Sequence, residues 1–205
     1  MTRGNVPNPP WRGPLAATLA ALAVVAASPA QADGPFPDML TSADRDRLSM
    51  FDPIRRDILA YVGQHASRLD REELNHVLSG SATDLAPADM AGDWRCRSIQ
   101  MWRDPGLPIV IYGDFRCRIT DDGAGLRLEK LTGSQRTGGT FYDVGETRLG
   151  YAGAQALGNE KTIPRYGAKR ERNQAGYLMP ISRDRMRLEF PRPTNAEFEI
   201  LELRR

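Results

Sequence analysis

The sequence predicts a mainly β chain (α+β overall): a small antiparallel meander β-barrel of about eight strands, preceded by two or three short helices. Three observations predict it. Apolar residues over 41–79 recur with a helical period, from Trp94 onward the period falls to two, and the strands so marked are joined by short local turns. Closure into a barrel follows because it removes exposed strand edges.

Residues 1–32 read as an export signal. Arg3 and Arg12 stand without an acid, Leu15 to Ala27 is an apolar run of 13 residues, and Ala30-x-Ala32 supplies the small residues for cleavage after Ala32. A spanning helix needs roughly 20 apolar residues, so a transmembrane segment is not expected here or elsewhere. The expected location is periplasmic or secreted, where disulfides persist. Residues 33–40 are expected to form an extended arm.

Over 41–79, Thr41-x-x-Asp44 resembles a capping box, with Leu48 and Phe51 behind it. Asp52-Pro53 predicts an N-cap followed by Pro at the first helical position. Ile54, Ile58, Leu59 and Val62 form one stripe, Gly63 a stop. Asp70 is expected to cap a third helix bearing Leu74, Val77 and Leu78, with Gly80 beyond its end. Residues 80–93 read as a linker and 94–205 as the barrel domain. Strands are expected near 94–101, 108–120, 125–132, 138–143, 147–153, 176–182, 185–190 and 197–203. Asp121-Asp122-Gly123 and Ser182-Arg183-Asp184 mark tight turns. The stretch 154–175 is either a long loop or a ninth strand.

The chain has 205 residues, 28 basic and 26 acidic, and 40% hydrophobic content, enough for a real core. Removing residues 1–32 takes away two basic residues and no acid, leaving 173 residues with 26 of each sign. A balanced charge argues against a nucleic-acid partner. Any basic function must come from local clustering.

Such a cluster is visible. Trp94-Arg95-Cys96-Arg97 is echoed by Phe115-Arg116-Cys117-Arg118. Placing Cys96 opposite Cys117 on antiparallel neighbours sets Trp94 against Ile119, Ser98 against Phe115, Arg95 against Arg118 and Arg97 against Arg116. One face is then apolar and disulfide-bonded, the other carries four arginines. A turn centred on Pro105-Gly106 would instead set Cys96 against Phe115, two residues short, so that a bulge or longer loop must absorb the difference if the cysteines are to stand opposite each other. The disulfide is expected to be a staple worth roughly 3 kcal/mol in the chain-entropy model. The arginines form either a salt ladder with Arg127 and Glu129 or a groove for phosphate or carboxylate. Lys130 to Thr140 contains no acid and three glycines. It reads as a hairpin connection in which Gly138-Gly139 supplies positive φ, or as an anion nest involving Ser134, Gln135 and Arg136.

Trp94-x-Cys96-Arg97, Phe115-x-Cys117-Arg118, the run Glu129-Lys130-Leu131-Thr132-Gly133-Ser134-Gln135-Arg136 and Arg187-Leu188-Glu189-Phe190-Pro191 together resemble a family of exported bacterial proteins known only as a domain of unknown function. The resemblance covers most of 40–203. It implies an exported protein of this plan and no activity. Gly92-Asp93-Trp94 with an early disulfide is also similar to the one-disulfide β-barrel inhibitors of secreted zinc metalloproteases, which lack the 41–79 and 130–140 segments.

Catalytic options are few. His65 and His76 are 11 residues apart, outside a zinc-helix spacing, and read as surface positions. The β half has no histidine for a Ser-His-Asp triad. Carboxylates remain: Glu129, Asp143, Glu146 and Glu160. Lys161 to Arg172 reads as a solvated basic loop, and Trp94 as core. No catalytic residue, metal site or cofactor is expected. The expected function is an exported barrel that binds a small or anionic ligand through Arg95, Arg97, Arg116, Arg118, Arg136, Ser134 and Gln135. The alternatives are a protein partner, such as a protease inhibited by a free 33–40 arm, and a carboxylate-dependent hydrolase.

Overall fold

The structure is a computed structural model and describes residues 36, 38–158 and 160–205 together with Met1 and Thr2. The expected export signal and its cleavage site lie outside the described residues, as does half of the 33–40 arm. Among the described residues no helix is long and apolar enough to cross a membrane.

Nine strands make one antiparallel sheet: β1 (Gly92–Met101), β2 (Ile109–Ile111), β3 (Phe115–Asp121), β4 (Leu126–Lys130), β5 (Gln135–Asp143), β6 (Leu149–Leu157), β7 (Asn173–Ser182), β8 (Arg185–Pro191) and β9 (Phe198–Arg204). Neighbours follow chain order from β3 to β9, and β9 pairs with β1 over Arg95–Met101 to close the barrel. Eight strands form the closed wall. The strand expected over 108–120 is two: β2 pairs with the second half of β1 and β3 with the first, and the chain leaves the ladder between them near Gly113. Among the described residues the 154–175 stretch holds no strand beyond the ends of β6 and β7. β6 runs on to Leu157, β7 starts at Asn173, and a single 3₁₀ turn (Arg170–Arg172) lies between.

Inward residues at alternate positions fill the barrel: Trp94, Cys96, Ile119, Leu128, Phe141, Tyr151, Leu188 and Leu201. A second apolar layer lies outside, where Ala175, Phe198, Ile200, Ile99 and Met101 on β7, β9 and β1 meet Leu48, Phe51, Ile58, Val62, Leu74 and Val77 of the helices. Each large side chain so buried contributes on the order of 1.5–3 kcal/mol before entropy is charged. Phe36 and Leu40 join this layer, Phe36 stacking on Tyr142 with ring centroids 5.7 Å apart. The arm is therefore docked at both residues rather than free.

The helices are α1 (Ser42–Ser49), α2 (Phe51–His65), α3 (Arg68–Leu78) and, inside the expected linker, a short α4 (Pro87–Met90). Thr41 caps α1, its hydroxyl accepting the Asp44 N–H at 3.3 Å. Three local expectations are corrected. α2 begins at Phe51 with Met50 as N-cap, so Asp52 is not the cap, and Pro53 sits inside the first turn where its missing N–H is harmless. Gly63 does not stop α2, which continues to His65. Ser67, not Asp70, caps α3: its Oγ accepts the Asp70 N–H at 3.1 Å and donates to the Asp70 carboxylate at 2.7 Å. Ser67-x-x-Asp70 repeats the Thr41-x-x-Asp44 pattern, so the cap lies three residues upstream. Gly80 follows α3 with φ +83°, as expected. His65 and His76 are exposed.

The β1–β3 register differs from the Cys-opposite-Cys arrangement. Trp94 faces Cys117, Cys96 faces Phe115, Arg95 faces Arg116 and Asp93 faces Arg118. This is the two-residue offset that the Pro105-Gly106 turn demands. The Cys96–Cys117 disulfide forms all the same, on a diagonal with a Cα–Cα separation of 5.9 Å. Both sulfurs are inside the barrel beside Trp94, which is 3% exposed.

α1 is locked to the barrel through Asp44, which is buried. Its Oδ2 accepts from Thr41 Oγ1 at 2.8 Å, Tyr166 Oη at 2.5 Å and Asn173 Nδ2 at 2.9 Å, and Arg47 pairs with Oδ1. Burial alone would raise its pKa, but the hydrogen bonds from Tyr166, Asn173 and Thr41 and the charge of Arg47 hold it below the ordinary carboxylate range. A carboxylate depressed on folding stabilises the fold above its unfolded pKa and loses that contribution as pH falls through the depressed value. Asp44→Asn should therefore cost about 2–3 kcal/mol at pH 7 in urea unfolding, and the gap from wild type should narrow as pH drops below about 4.

Candidate functional site

On the outer face of β4, β5 and β6 runs a groove of about 730 Å³, walled on one side by the segment 161–166. That volume lies within the range of small-ligand pockets. Its floor is shallow because β5 and β6 present small outward residues: Gly138, Thr140 and Ala152. Ile163 packs on Gly138, where an added Cβ would meet its Cδ1 at 3.1 Å, and this contact lays the 161–166 segment along the sheet. Tyr166 anchors the far end of the segment, donating to Asp44 and accepting the Thr41 N–H at 2.9 Å.

The groove is basic with apolar surface. Arg118, Arg127, Lys161 and Arg165 line it together with Met39, Ile163 and Tyr142, and Glu129 is its one carboxylate. Arg118 is engaged by Asp93 at 2.6 Å, which raises its pKa. Arg127, Lys161 and Arg165 have no ion-pair partner among the described residues. Elsewhere Arg55, Arg97, Arg103, Arg172, Arg187 and Arg204 each reach a carboxylate within 4 Å.

The residues expected to bind ligand are distributed as follows. Arg95, Arg116 and Arg118 share one outer face, Arg95 and Arg116 directly opposite each other on β1 and β3, adjoining the groove at Arg118. Of the expected salt ladder, Glu129 on β4 stands opposite Arg118 in register, but the ion pair of Arg118 is with Asp93. Arg97 projects from the same outer side of β1 as Arg95 but is not free there. The helices cover its end of β1, and it is 9% exposed between Glu202 at 2.7 Å and Glu73 at 2.6 Å. Its neighbour in register is Glu202 on β9, not Arg116. Arg136 donates to the Glu160 carbonyl. Ser134 is an exposed turn residue whose carbonyl accepts the Gly158 N–H at 2.7 Å. The positive φ of that turn is at Gly133 (+96°), not at Gly138-Gly139, which lie within β5.

Gln135 points elsewhere, into the end of the barrel. There Lys130, Gln135, Thr137, Gln155, Gln174 and Glu199 line a chamber with room for about one water. Gln155 Oε1, Gln174 Oε1 and Glu199 Oε2 are buried there with no hydrogen-bond partner among the described residues. Burial drives the Glu199 carboxyl up against the opposing effects of Ser98, Lys130 and Gln100, and drives the Lys130 amine down.

The carboxylates considered for hydrolysis are dispersed. Glu129 is in the groove, and Glu160 is tied to the Leu157 N–H at 2.8 Å and to Lys169 and Arg172. Asp143 and Glu146 share the opposite barrel mouth, of about 220 Å³, with Asp84 and Asp121. Among the described residues no group of three or more His, Cys, Asp or Glu could hold a metal ion. Arg127, Lys161 and Arg165 were missed as site residues. Arg127 and Glu129 sat on the expected non-core face, but nothing in the sequence shows that 161–166 folds back over that face.

The molecule is thus a one-disulfide closed β-barrel with a helical flank and a basic groove on its outer wall. By sequence it belongs to the family described as Domain of unknown function (DUF4893), whose model matches residues 37–203. No curated protein matches the chain. A redesigned β-barrel is similar in structure at a TM-score of 0.40 and 8% identity, covering 61% of this chain and 98% of that one.

Proposed function

We propose that this chain is an exported binding protein, not an enzyme, and that its outer groove captures an anionic amphiphile. The observation that carries the reading is the groove's set of uncommitted cations. Arg127, Lys161 and Arg165 line one cleft with no ion-pair partner among the described residues, Glu129 being the one carboxylate in its lining, and the cleft also offers apolar surface from Met39, Ile163 and Ala152. Leaving three like charges around one cleft is unfavourable in isolation, and an anion relieves it. Guanidinium forks grip phosphate or carboxylate bidentately, while the apolar floor accepts the rest of the ligand. Arg95, Arg116 and Arg118 form a basic approach to the same cleft. Export is supported by the 1–32 sequence and is consistent with the disulfide.

The test is calorimetric titration with n-octyl phosphate, with n-octanol and inorganic phosphate as controls. Binding is expected for the phosphate ester and weaker binding for either control. Arg127→Ala and Arg165→Ala should each raise Kd about tenfold, whereas Arg56→Ala on the far exposed side of α2 should not. No binding, or binding indifferent to both groove substitutions, rejects the reading.

A further inference from the structure

The two ends of the barrel are built differently. At one end the long polar side chains of Lys130, Gln135, Gln155, Gln174 and Glu199 leave room for about one water. The other end stays hollow. A cavity of about 220 Å³ opens there, walled by the β3–β4 turn, the β5–β6 turn and the 84–90 segment. Its lining is largely apolar, from Leu85, Met90, Leu126, Phe141, Leu149 and Pro180. Close-packed interiors leave few voids larger than a water. An apolar hollow of roughly 150 Å³ already admits a benzene ring. This space therefore suits an apolar group the size of one ring.

The rim of the cavity carries one sign of charge. β3 turns Cys117 and Ile119 into the barrel, and the next residue in that row is Asp121. β5 turns Phe141 inward, and the next in its row is Asp143. Alternation thus sets both carboxylates on the inner face of the wall instead of the outer one. In register Asp121 stands opposite Leu126 and Asp143 opposite Leu149, both lining the cavity. Asp84 and Glu146 complete the rim. Among the described residues none of the four has an ion-pair partner, and Asp121 accepts only the Gly123 N–H at 3.1 Å. The one cation in the lining, Arg148, lies over the Tyr177 ring of the outer apolar layer, 4.0 Å from the centroid. Clefts with low-dielectric walls and charges of one sign concentrate the opposite charge. Among the described residues no three of these carboxylates are placed to hold a metal ion, so the cation that fits brings its own apolar body.

We propose that this hollow barrel mouth binds a primary amine carried on a ring-sized apolar group, with the ring among Leu126, Phe141 and Leu149 and the ammonium between Asp121 and Asp143. The site is separate from the basic groove on the outer wall and opposite to it in charge. Burial of the ring supplies sequence-independent apolar affinity, and the rim selects the sign of the attached charge. A neutral ligand of the same shape keeps the first contribution and loses the second. An anion of that shape is repelled.

The test is site-resolved NMR of the full mature chain at pH 7, titrated with 2-phenylethylamine, which is protonated at that pH. The comparison ligands are 2-phenylethanol and 3-phenylpropionate. The amine should give saturable shifts at Leu126, Phe141 and Leu149. The alcohol should shift the same residues with a Kd about tenfold higher, and 3-phenylpropionate should shift none of them. Asp121→Asn combined with Asp143→Asn should raise the Kd of the amine about tenfold and leave that of the alcohol unchanged. Leu85→Trp, placed in the wall segment outside the strands, should fill the hollow and abolish both. Glu72→Gln, on the exposed side of α3, should change neither. No saturable shift at the mouth with the amine, equal affinity for amine and 3-phenylpropionate there, or an amine Kd unmoved by the paired Asn substitutions overturns the proposal. The three-ligand comparison on the unaltered chain decides the matter even where a variant fails to fold.

Discussion

Glu202→Ala is expected to destabilise the fold by about 3–5 kcal/mol in urea unfolding. Glu202 has no exposed side-chain surface and lies on the outer face of β9, beneath the helices. It holds Arg97 at 2.7 Å and Arg204 at 3.6 Å, and it is the cross-strand neighbour of both Arg97 and Arg187. Next to it Glu189, equally buried, holds Arg55 of α2 at 2.6 Å and Arg187 at 3.4 Å. The pairing Arg97–Glu73 carries this network into α3. Removing Glu202 leaves Arg97 buried with a single, partly exposed carboxylate. Desolvation is then no longer offset, which is why breaking a buried pair costs far more than the pair is worth intact. The comparison is Arg68→Ala in α3, whose i,i+4 pair with Glu72 is 73% and 57% exposed and should cost less than about 0.5 kcal/mol. Equal effects of the two substitutions would contradict the network's role in fastening the helices.

Gly139→Val is the second large effect, expected to cost about 3 kcal/mol or more, or to prevent folding. Gly139 faces Gly153 across β5 and β6, and the Tyr151 ring lies over both inside the barrel. A Cβ at Gly139 would come within 2.4 Å of the Ala152 carbonyl oxygen and 2.7 Å of the Tyr151 ring. Neither can move freely. The carbonyl is backbone, and Tyr151 is fully buried with its hydroxyl 2.8 Å from Thr137 Oγ1. Burial pushes the Tyr151 phenol well above its ordinary pKa, so it stays neutral in the core. Gly138→Ala should cost clearly less. Its Cβ points outward and meets the end of the flexible Ile163 side chain. Comparable losses at the two neighbours would show that general strand propensity, rather than the tyrosine, requires glycine there.

The same two glycines show what sequence reading reaches. Gly138-Gly139 looks like a turn because adjacent glycines usually supply positive φ, yet here they serve an inward ring and an outward loop. The aromatic that demands Gly139 is twelve residues away, on the next strand. The barrel and the disulfide were legible, since period-two patterning and local turns are carried by adjacent residues. Register was legible in the arithmetic of the Pro105-Gly106 turn, and the echo of WRCR in FRCR obscured it. The burial of Arg97 was not, because it depends on where α2 and α3 lie. β8 and β9 are covered on both faces, so their ionic residues read as surface although Glu189 and Glu202 are buried. The groove was half legible. Arg118 and Arg127 fall on the outer face by alternation, but Lys161 and Arg165 reach it only through the packing of Ile163 and Tyr166.

The groove is the centre of the functional account, and site-resolved NMR of the mature protein titrated with n-octyl phosphate tests it most directly. The account predicts saturable shifts at Arg118, Arg127, Thr140, Ala152 and residues 161–166, abolished together by Arg127→Ala with Arg165→Ala. Shifts centred on the opposite barrel mouth around Asp143 and Glu146, or scattered without saturation, would contradict it.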